Sequence, residues 1–370
     1  MWLRDIEADR LRNLKAVSLG LASGLTMVTG KNGQGKSSLL EAIYLLGTGR
    51  SFRTRKLAEL IEWSGGPTRA SGTVEGRQGR TRLTVVMDGD DRRLLADNSE
   101  RRLEDFIGRL SVVDLTAERM LVLRGGPEER RRFLDRGLVG TRPSHLLVLG
   151  EYRRILRHRN ALLRAMGGRA DGARLAELRA WDDRLVRSAA EIHRSRREYA
   201  VVLGSRLGEL GRMLFPRGGE LRLRYRPSPA ESASRDMTEF VEIMAKSLEK
   251  GRGRDVGTGY TGVGPHRDEL RVELDEIDLR RFGSAGQVRA SMVALKLGKL
   301  SVLQEARGEV PLFLMDDFDS DLDEVRAAAL AGHLDAGGFQ VIVATSKEKM
   351  IDRLGVKFRK VRMEDGEASA

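Results

Sequence analysis

The octapeptide Gly30-Lys31-Asn32-Gly33-Gln34-Gly35-Lys36-Ser37 limits what this chain can fold into more than any other stretch. It reads Gly-x4-Gly-Lys-Ser and follows the apolar run Leu-Thr-Met-Val-Thr at 25–29. Behind it, 38–46 (Ser-Leu-Leu-Glu-Ala-Ile-Tyr-Leu-Leu) has helical periodicity. Strand, loop and helix in that order are what a phosphate-binding P-loop requires. Its glycines let backbone N–H groups close around phosphate oxygens, and the following helix aims its positive end at the same anion. Lys36 is predicted to reach the β- and γ-phosphates and the Ser37 hydroxyl to hold Mg²⁺, with Ser38 completing the contact set. The stretch predicts a nucleoside triphosphate site.

Such a loop is shared by kinases, GTPases and transport ATPases, and a second acidic motif separates them. Residues 311–317, Pro-Leu-Phe-Leu-Met-Asp-Asp, read as a buried apolar strand ending in two carboxylates. Asp316 is predicted to hold Mg²⁺ directly or through water, as in a Walker B motif. Asp317, just beyond the strand, is placed to polarise an attacking water and is the candidate general base; Lys36 is the other catalytic candidate. Ahead of that strand lies Ser284-Ala285-Gly286-Gln287, opening a helical run. A hydroxyl and free amides at a helix N-terminus suit an anion, although the turn alone reads first as an ordinary Ser N-cap. Paired with the acidic strand it matches the signature motif of ABC-type ATPases, which adds Ser284, Gly286 and Gln287 to the nucleotide contacts. Ser320-Asp321-Leu322-Asp323 then takes the D-loop position, and Ser346, after the last core strand, stands where many ABC enzymes carry a switch His.

At 370 residues the chain exceeds the size at which one core keeps growing. Three segments are expected: 1–116, a nucleotide lobe with an antiparallel meander; 117–260, a helical lobe; and 261–370, which returns to complete the ATPase head. In the first, 3–8 and 17–21 pair as a hairpin through 10–13, and 70–75, 81–88 and 92–95 alternate as meander strands. In the second, apolar residues from Leu175 to Leu214 recur in steps of three, four and seven. One helix or two nearly continuous ones of that extent would run about 60 Å, which suggests a projecting arm. A helix is expected from 237 to 250, followed by a flexible or tightly turned glycine-rich stretch to 264.

The net charge of +12 and pI near 10.2 favour a polyanionic partner, nucleic acid before membrane. An Arg-rich composition spread over solvated faces is the competing reading. Residues 151–200 carry thirteen Arg against seven Asp and Glu. The basic loop 48–56, built around Phe52, offers Arg50, Arg53, Arg55 and Lys56 as candidate DNA contacts. There is no Cys, so disulfides and thiolate metal sites are excluded. The five His give no metal-ligand spacing, which leaves Mg²⁺ as the expected metal. With no signal peptide at Met1-Trp2-Leu3-Arg4-Asp5 and no long apolar run, the expected location is cytoplasmic.

Four stretches together resemble the bacterial RecF family, short-armed relatives of Rad50 and the SMC proteins. They are 30–51, from the P-loop through Leu45-Leu46-Gly47-Thr48-Gly49-Arg50-Ser51; 126–135, Gly-Pro-Glu-Glu-Arg-Arg-Arg-Phe-Leu-Asp; Gly264-Pro265-His266-Arg267-Asp268-Glu269-Leu270; and the signature through Lys296 to Asp323. The resemblance implies an α/β ABC-type P-loop ATPase head, Rad50/SMC-like, with an inserted helical lobe. It further implies two ATP molecules sandwiched in a homodimer, each P-loop facing the partner's Ser284–Gln287 turn. The dimer would clamp gapped or single-strand/double-strand junction DNA, and slow, DNA-stimulated hydrolysis would release it, with RecR and RecO as partners in loading RecA. Arg12 and Asn13 would face the nucleotide. Residues 266–268 form either a functional cluster or a structural turn. Two stretches depart from the family pattern: 115–120 lacks its Pro-Glu-Asp-Leu, and 316–320 is unusually acidic. A specialised paralogue, or a scaffold that binds ATP without hydrolysing it, is the alternative. An ABC-transporter nucleotide subunit would need apolar docking patches and a shorter chain.

Overall fold

The computed structural model describes residues 1–54, 56–61, 66–77, 79–89, 91–116, 121–169, 171–215, 218–233, 236–316, 324–346 and 357–369. Contacts divide the chain into two units: Met1–Met120, Arg206–Gly219 and Gly283–Ala370 in the first, Leu121–Ser205 and Glu220–Phe282 in the second.

The first unit holds two sheets. One is antiparallel and runs Leu14–Gly20, Asp5–Leu11, Thr68–Gly76, Gly79–Asp88, Asp91–Ala96, Ser99–Glu100, with Trp2–Leu3 pairing Thr68–Gly76 off this path. The other runs Glu367–Ser369, Phe358–Glu364, Leu25–Thr29, Gln340–Thr345, Leu312–Asp316, Val112–Leu115. Its central strands are parallel and in register, Leu25 opposite both Val341 and Phe358, and Leu312 opposite Gln340 and Val112. Strands buried on both faces need near-continuous apolar runs, which is why Gln-Val-Ile-Val-Ala-Thr at 340–345 is buried at every position. The helix Lys36–Thr48 is hydrophobic nearly all round for the same reason: Leu39, Leu40, Ile43 and Leu46 share one core with residues of both sheets. The strand Leu25–Thr29 therefore delivers the P-loop from the middle of the parallel sheet, and the Leu312–Asp316 strand ends at the same edge.

The second unit packs Pro127–Thr141, His145–Met166, Met237–Thr258 and the first four-fifths of the 43-residue helix Gly172–Leu214 with a small antiparallel sheet, Leu221–Arg226, Glu269–Leu274, Ile277–Asp278. The long helix is continuous, and it is not a bare arm. Leu185, Val186, Ala189 and Ile192 are buried against Leu149, Tyr152 and Ile155 of one neighbouring helix and Phe240, Met244 and Leu248 of another. Two of the Arg counted towards a DNA-facing surface, Arg159 and Arg196, are 0% and 4% exposed and lie in ion pairs.

Two expectations change. The break drawn at 260/261 moves to 282/283, because Glu269–Leu274 pairs with Leu221–Arg226 in the second unit, Leu270 opposite Tyr225. The glycine-rich stretch is mostly helix: Met237–Thr258 runs through Gly251, Gly253 and Gly257 before Gly259 caps it in the left-handed region. Tertiary burial overrides the poor helix propensity of glycine there. Asp255, 1% exposed, takes the Arg159 guanidinium at 2.9 Å, and Val256 is buried beside it.

Candidate nucleotide site

Gly30, Gly33 and Gly35 all have positive φ, and for two of them only glycine fits: a Cβ would lie 2.5 Å from the Met363 carbonyl at Gly30 and 2.8 Å from Leu14 at Gly35. The helix that follows has no side chain capping its N-terminus, so its first amides stay available to an anion. Lys36 is 6% exposed, and its ammonium donates to the carbonyls of Gly30 (2.8 Å) and Lys31 (2.9 Å). Gln34 is turned away, its side-chain carbonyl accepting from the Asp365 amide. Ser38 donates to Asn13 Oδ1 at 2.7 Å, and the Asn13 side-chain amide donates to the Gly33 carbonyl at 2.6 Å. The hairpin tip at Arg12-Asn13 thereby braces the loop from outside.

One contact joins the two halves of the site. Ser37 Oγ donates to Asp316 Oδ1 at 3.0 Å, across 279 positions of sequence. A hydroxyl and a carboxylate oxygen side by side at the mouth of a phosphate loop are a hard-oxygen donor set of the kind Mg²⁺ takes alongside phosphate and water. Ser37 also lines a cleft of about 480 Å³, within the usual range for small-ligand sites. Its walls are Arg12 and Asn13, the P-loop residues 32, 33 and 35–38, and Arg53, Glu59 and Ile61. None of 284–287 lines it.

Ser284 caps the helix Ala285–Arg307 through a reciprocal capping box. Its hydroxyl accepts from the Gln287 amide at 3.2 Å, and Gln287 Oε1 accepts from the Ser284 amide at 2.8 Å. All four residues of the turn are exposed. The N-cap reading is thus correct as local structure, and it leaves the Ser284 proton and the Ala285 and Gly286 amides facing outward. Ser346 is exposed at the end of the Gln340–Thr345 strand. Asp317, Arg55 and the D-loop positions Ser320 to Asp323 lie outside the described residues.

A family model described as the RecF/RecN/SMC N terminal domain matches residues 2–370. The chain is 34% identical over 358 residues to the DNA replication and repair protein RecF of Myxococcus xanthus (strain DK1622), covering 95% of this chain and 92% of that one. It is 35% identical over 354 residues to the protein of that name from Anaeromyxobacter sp. (strain Fw109-5), covering 95% and 94%. This chain belongs to the RecF family. A solved RecF structure, described as the recombination mediator protein RecF with ATP in the RecFOR pathway, matches with a TM-score of 0.89 at 28% identity, covering 100% of this chain and 97% of that one. The SMC head of Pyrococcus furiosus matches at 0.57 and 15% identity over 100% and 95%, which establishes the shared fold alone. The ABC-type α/β head expected from the sequence is the fold.

The RecF-like segment Gly264–Leu270 lies in the second unit as a buried polar turn. Asp268, 1% exposed, accepts from Arg196 (2.8 Å), the Tyr225 hydroxyl (2.6 Å) and the Ser228 amide (2.9 Å). Desolvation raises the Asp268 pKa, and the Arg196 charge works against that rise. Arg196 also binds Asp135 through two hydrogen bonds, at 2.9 and 3.0 Å, and the Pro265 carbonyl at 2.7 Å. His266 Nε2 faces the Thr261 carbonyl at 3.0 Å and must donate to it, so Nδ1 accepts from the Tyr152 hydroxyl at 2.7 Å. Burial keeps that imidazole neutral, its pKa pushed down to about 4. The polar atoms of His266 and Asp268 named here are spent on the fold, as a structural turn requires, while Arg267 is exposed.

The carboxylate Glu41 was not singled out by sequence. It is 0% exposed, and it receives Arg12 through two N–H groups and the Ser51 hydroxyl. A lone acidic residue inside the apolar run Leu39-Leu40-Glu41-Ala42-Ile43 was the available signal, since a buried carboxylate must be paired.

Proposed function

We propose that this chain is an ATP-binding, DNA-binding switch of DNA replication and repair, a slow ABC-type ATPase whose nucleotide site is completed by a second copy. The observation that carries this is the Ser37–Asp316 contact at 3.0 Å beside a P-loop cleft that lacks its own signature turn. Lys36 and the helix amides would bind the triphosphate, and Ser37 with Asp316 would hold Mg²⁺. Bound there, Mg²⁺ supplies charge neutralisation between phosphate oxygens. Asp317, next along the chain, is assigned the proton of the attacking water. Ser284 and the exposed amides behind it would close on the γ-phosphate held by the partner copy, so nucleotide binding becomes dimer formation. The net charge of +12 supports a DNA clamp formed by that dimer. As in the RecFOR pathway named for its relative, RecR and RecO are the proposed partners and RecA loading at gap junctions the proposed outcome.

Ser284 supplies the test. Ser284→Asp keeps a good N-cap, yet it replaces a proton donor with a negative charge facing phosphate. Ser284→Arg adds bulk at the same exposed point. Both variants should bind ATP as monomers, Ser284→Asp should keep the wild-type melting temperature, and neither should shift to dimer on gel filtration with ATP. Normal ATP-induced dimerisation of both would mean that the cleft works within one chain.

A further inference from the structure

We propose that the helical unit carries a single-strand/double-strand junction site, in which Arg153, Arg157 and Arg164 hold backbone phosphates and the ring of Tyr260 stacks on the first unpaired base. This rests on the reading of the chain as a DNA-binding protein. Five Arg stand between 153 and 164 of the helix His145–Met166, and the fold sorts them. Arg159 is buried in ion pairs, and Arg154 turns to Glu151 at 2.8 Å. Arg153, Arg157 and Arg164 are exposed and make no ion pair among the described residues. Steps of four and seven put them on one face of the helix, over a length of about 16 Å. No carboxylate stands three or four positions from any of them, and Arg153 repels Arg157 across one turn. A row that weakens its own helix is complementary to an anion outside the chain. Its length matches about five phosphates of one duplex strand, at about 3.4 Å each.

Tyr260 stands at the Arg164 end of the row. It is 56% exposed, with its ring centroid 5.8 Å from the Arg164 guanidinium carbon. Both of its neighbours in the chain are fixed. Gly259, at φ 75°, caps the helix Met237–Thr258 so close to Arg164 that a Cβ there would lie 3.0 Å from the Arg164 Cγ. Thr261 is buried; its amide and hydroxyl both donate to Asn160 Oδ1, at 2.9 and 2.6 Å, and its oxygen accepts from Arg159 at 2.8 Å. The ring is therefore held in solvent by backbone tied on either side, and ordering it on a ligand costs less entropy than for a loose side chain. An aromatic ring beside a guanidinium is what base stacking on a single strand uses. A base inside a duplex offers no free face, so the row takes the duplex and the ring takes the base where pairing stops.

The test is fluorescence anisotropy of the full chain, with ATP and Mg²⁺ present, on a duplex and on a gapped duplex, each titrated with salt. The double variant Arg153→Gln, Arg157→Gln keeps good helix formers, so it should melt at or above the wild-type temperature. Its salt slope on the duplex should be flatter by about 1.8, at about 0.9 for each lost phosphate contact. Arg93→Gln, on the exposed meander, controls for lost charge alone and should leave the slope unchanged. Tyr260→Ala should keep the wild-type duplex affinity and bind the gapped duplex about five- to hundredfold more weakly. Tyr260→Phe keeps the ring and should bind both DNAs as wild type does. 2-Aminopurine placed as the first unpaired base of the gap should be quenched by wild type and by Tyr260→Phe, and not by Tyr260→Ala. A wild-type slope in the double Arg variant, or wild-type gap affinity and quenching in Tyr260→Ala, would overturn the assignment. If the wild-type chain itself binds neither DNA, the DNA-binding reading fails and this assignment falls with it.

Discussion

Arg196→Met tests the polar core of the second unit. The substitution keeps an unbranched apolar stem while deleting the guanidinium. It strands two carboxylates, Asp135 at 8% exposure and Asp268 at 1%, and leaves the Pro265 carbonyl without its donor. Removing one partner of a buried pair costs about 3–5 kcal/mol, because the remaining charge stays desolvated. Tyr225 and Ser228 still donate to Asp268, so the lower half of that range is expected. At about 3 °C per kcal/mol for a unit of this size, the melting transition should fall by about 10 °C.

The pH dependence separates this account from a simple packing defect. Burial already raises the Asp268 pKa, and Arg196 opposes the rise. Without the guanidinium the folded-state pKa climbs further above that of the unfolded chain. A raised folded pKa means that the native state binds the proton more tightly, so the deficit must shrink as pH falls. Differential scanning fluorimetry of variant and wild type in parallel, at pH 7.5 and 5.5, reads this directly. Comparison at each pH cancels titrations common to both. A deficit under about 2 °C, or one that grows on acidification, would refute the reasoning.

Lys36→Met should weaken ATP by more than about tenfold on equilibrium binding, because the ammonium is the one side-chain charge buried in the loop. Asp317→Asn should still bind ATP and form the dimer on gel filtration, while turnover in a phosphate-release assay falls by about 10² and the DNA complex lives longer. His266 titrates near 4 when folded against 6.5 when exposed. The unfolded chain therefore binds the extra proton in that window, and stability falls as pH drops from 6.5 towards 4, by up to about 3 kcal/mol. Urea unfolding across that window should show the loss in wild type and a flatter profile in His266→Gln.

The parallel core of the head was readable because its strands obey one strong constraint. A central strand buried on both faces must be near-continuously apolar, and 25–29, 312–316 and 340–345 are, with polar residues confined to Thr26 and the strand ends. The P-loop and the acidic strand end could be placed from the same runs, since each motif sits where its strand stops. Periodicity alone does not show what covers a helix face. The Leu175–Leu214 pattern gave the long helix but not the two helices packed on it. Helix 237–258 also ran on through three glycines, for Asp255 and Val256 are fixed by partners far away in sequence.

Charge was the least legible feature, and Arg shows why. Arg196 in a basic helical run and Arg53 in a basic loop look alike as letters, each one positive charge near others. The fold gives them opposite fates. Arg196 meets two carboxylates that arrive from 61 and 72 positions away, so its charge is consumed. Arg53 approaches a carboxylate already claimed by Arg12, at 3.9 Å, and lines the P-loop cleft. A local window cannot see which carboxylate a guanidinium will meet, or how many others share it. Carboxylates buried with these guanidiniums are already subtracted in the net +12, so it is the number of basic residues, not the net charge, that overstates what the surface offers to DNA. Salt dependence should accordingly count the exposed Arg of the loop and helices, not the basic residues of the sequence.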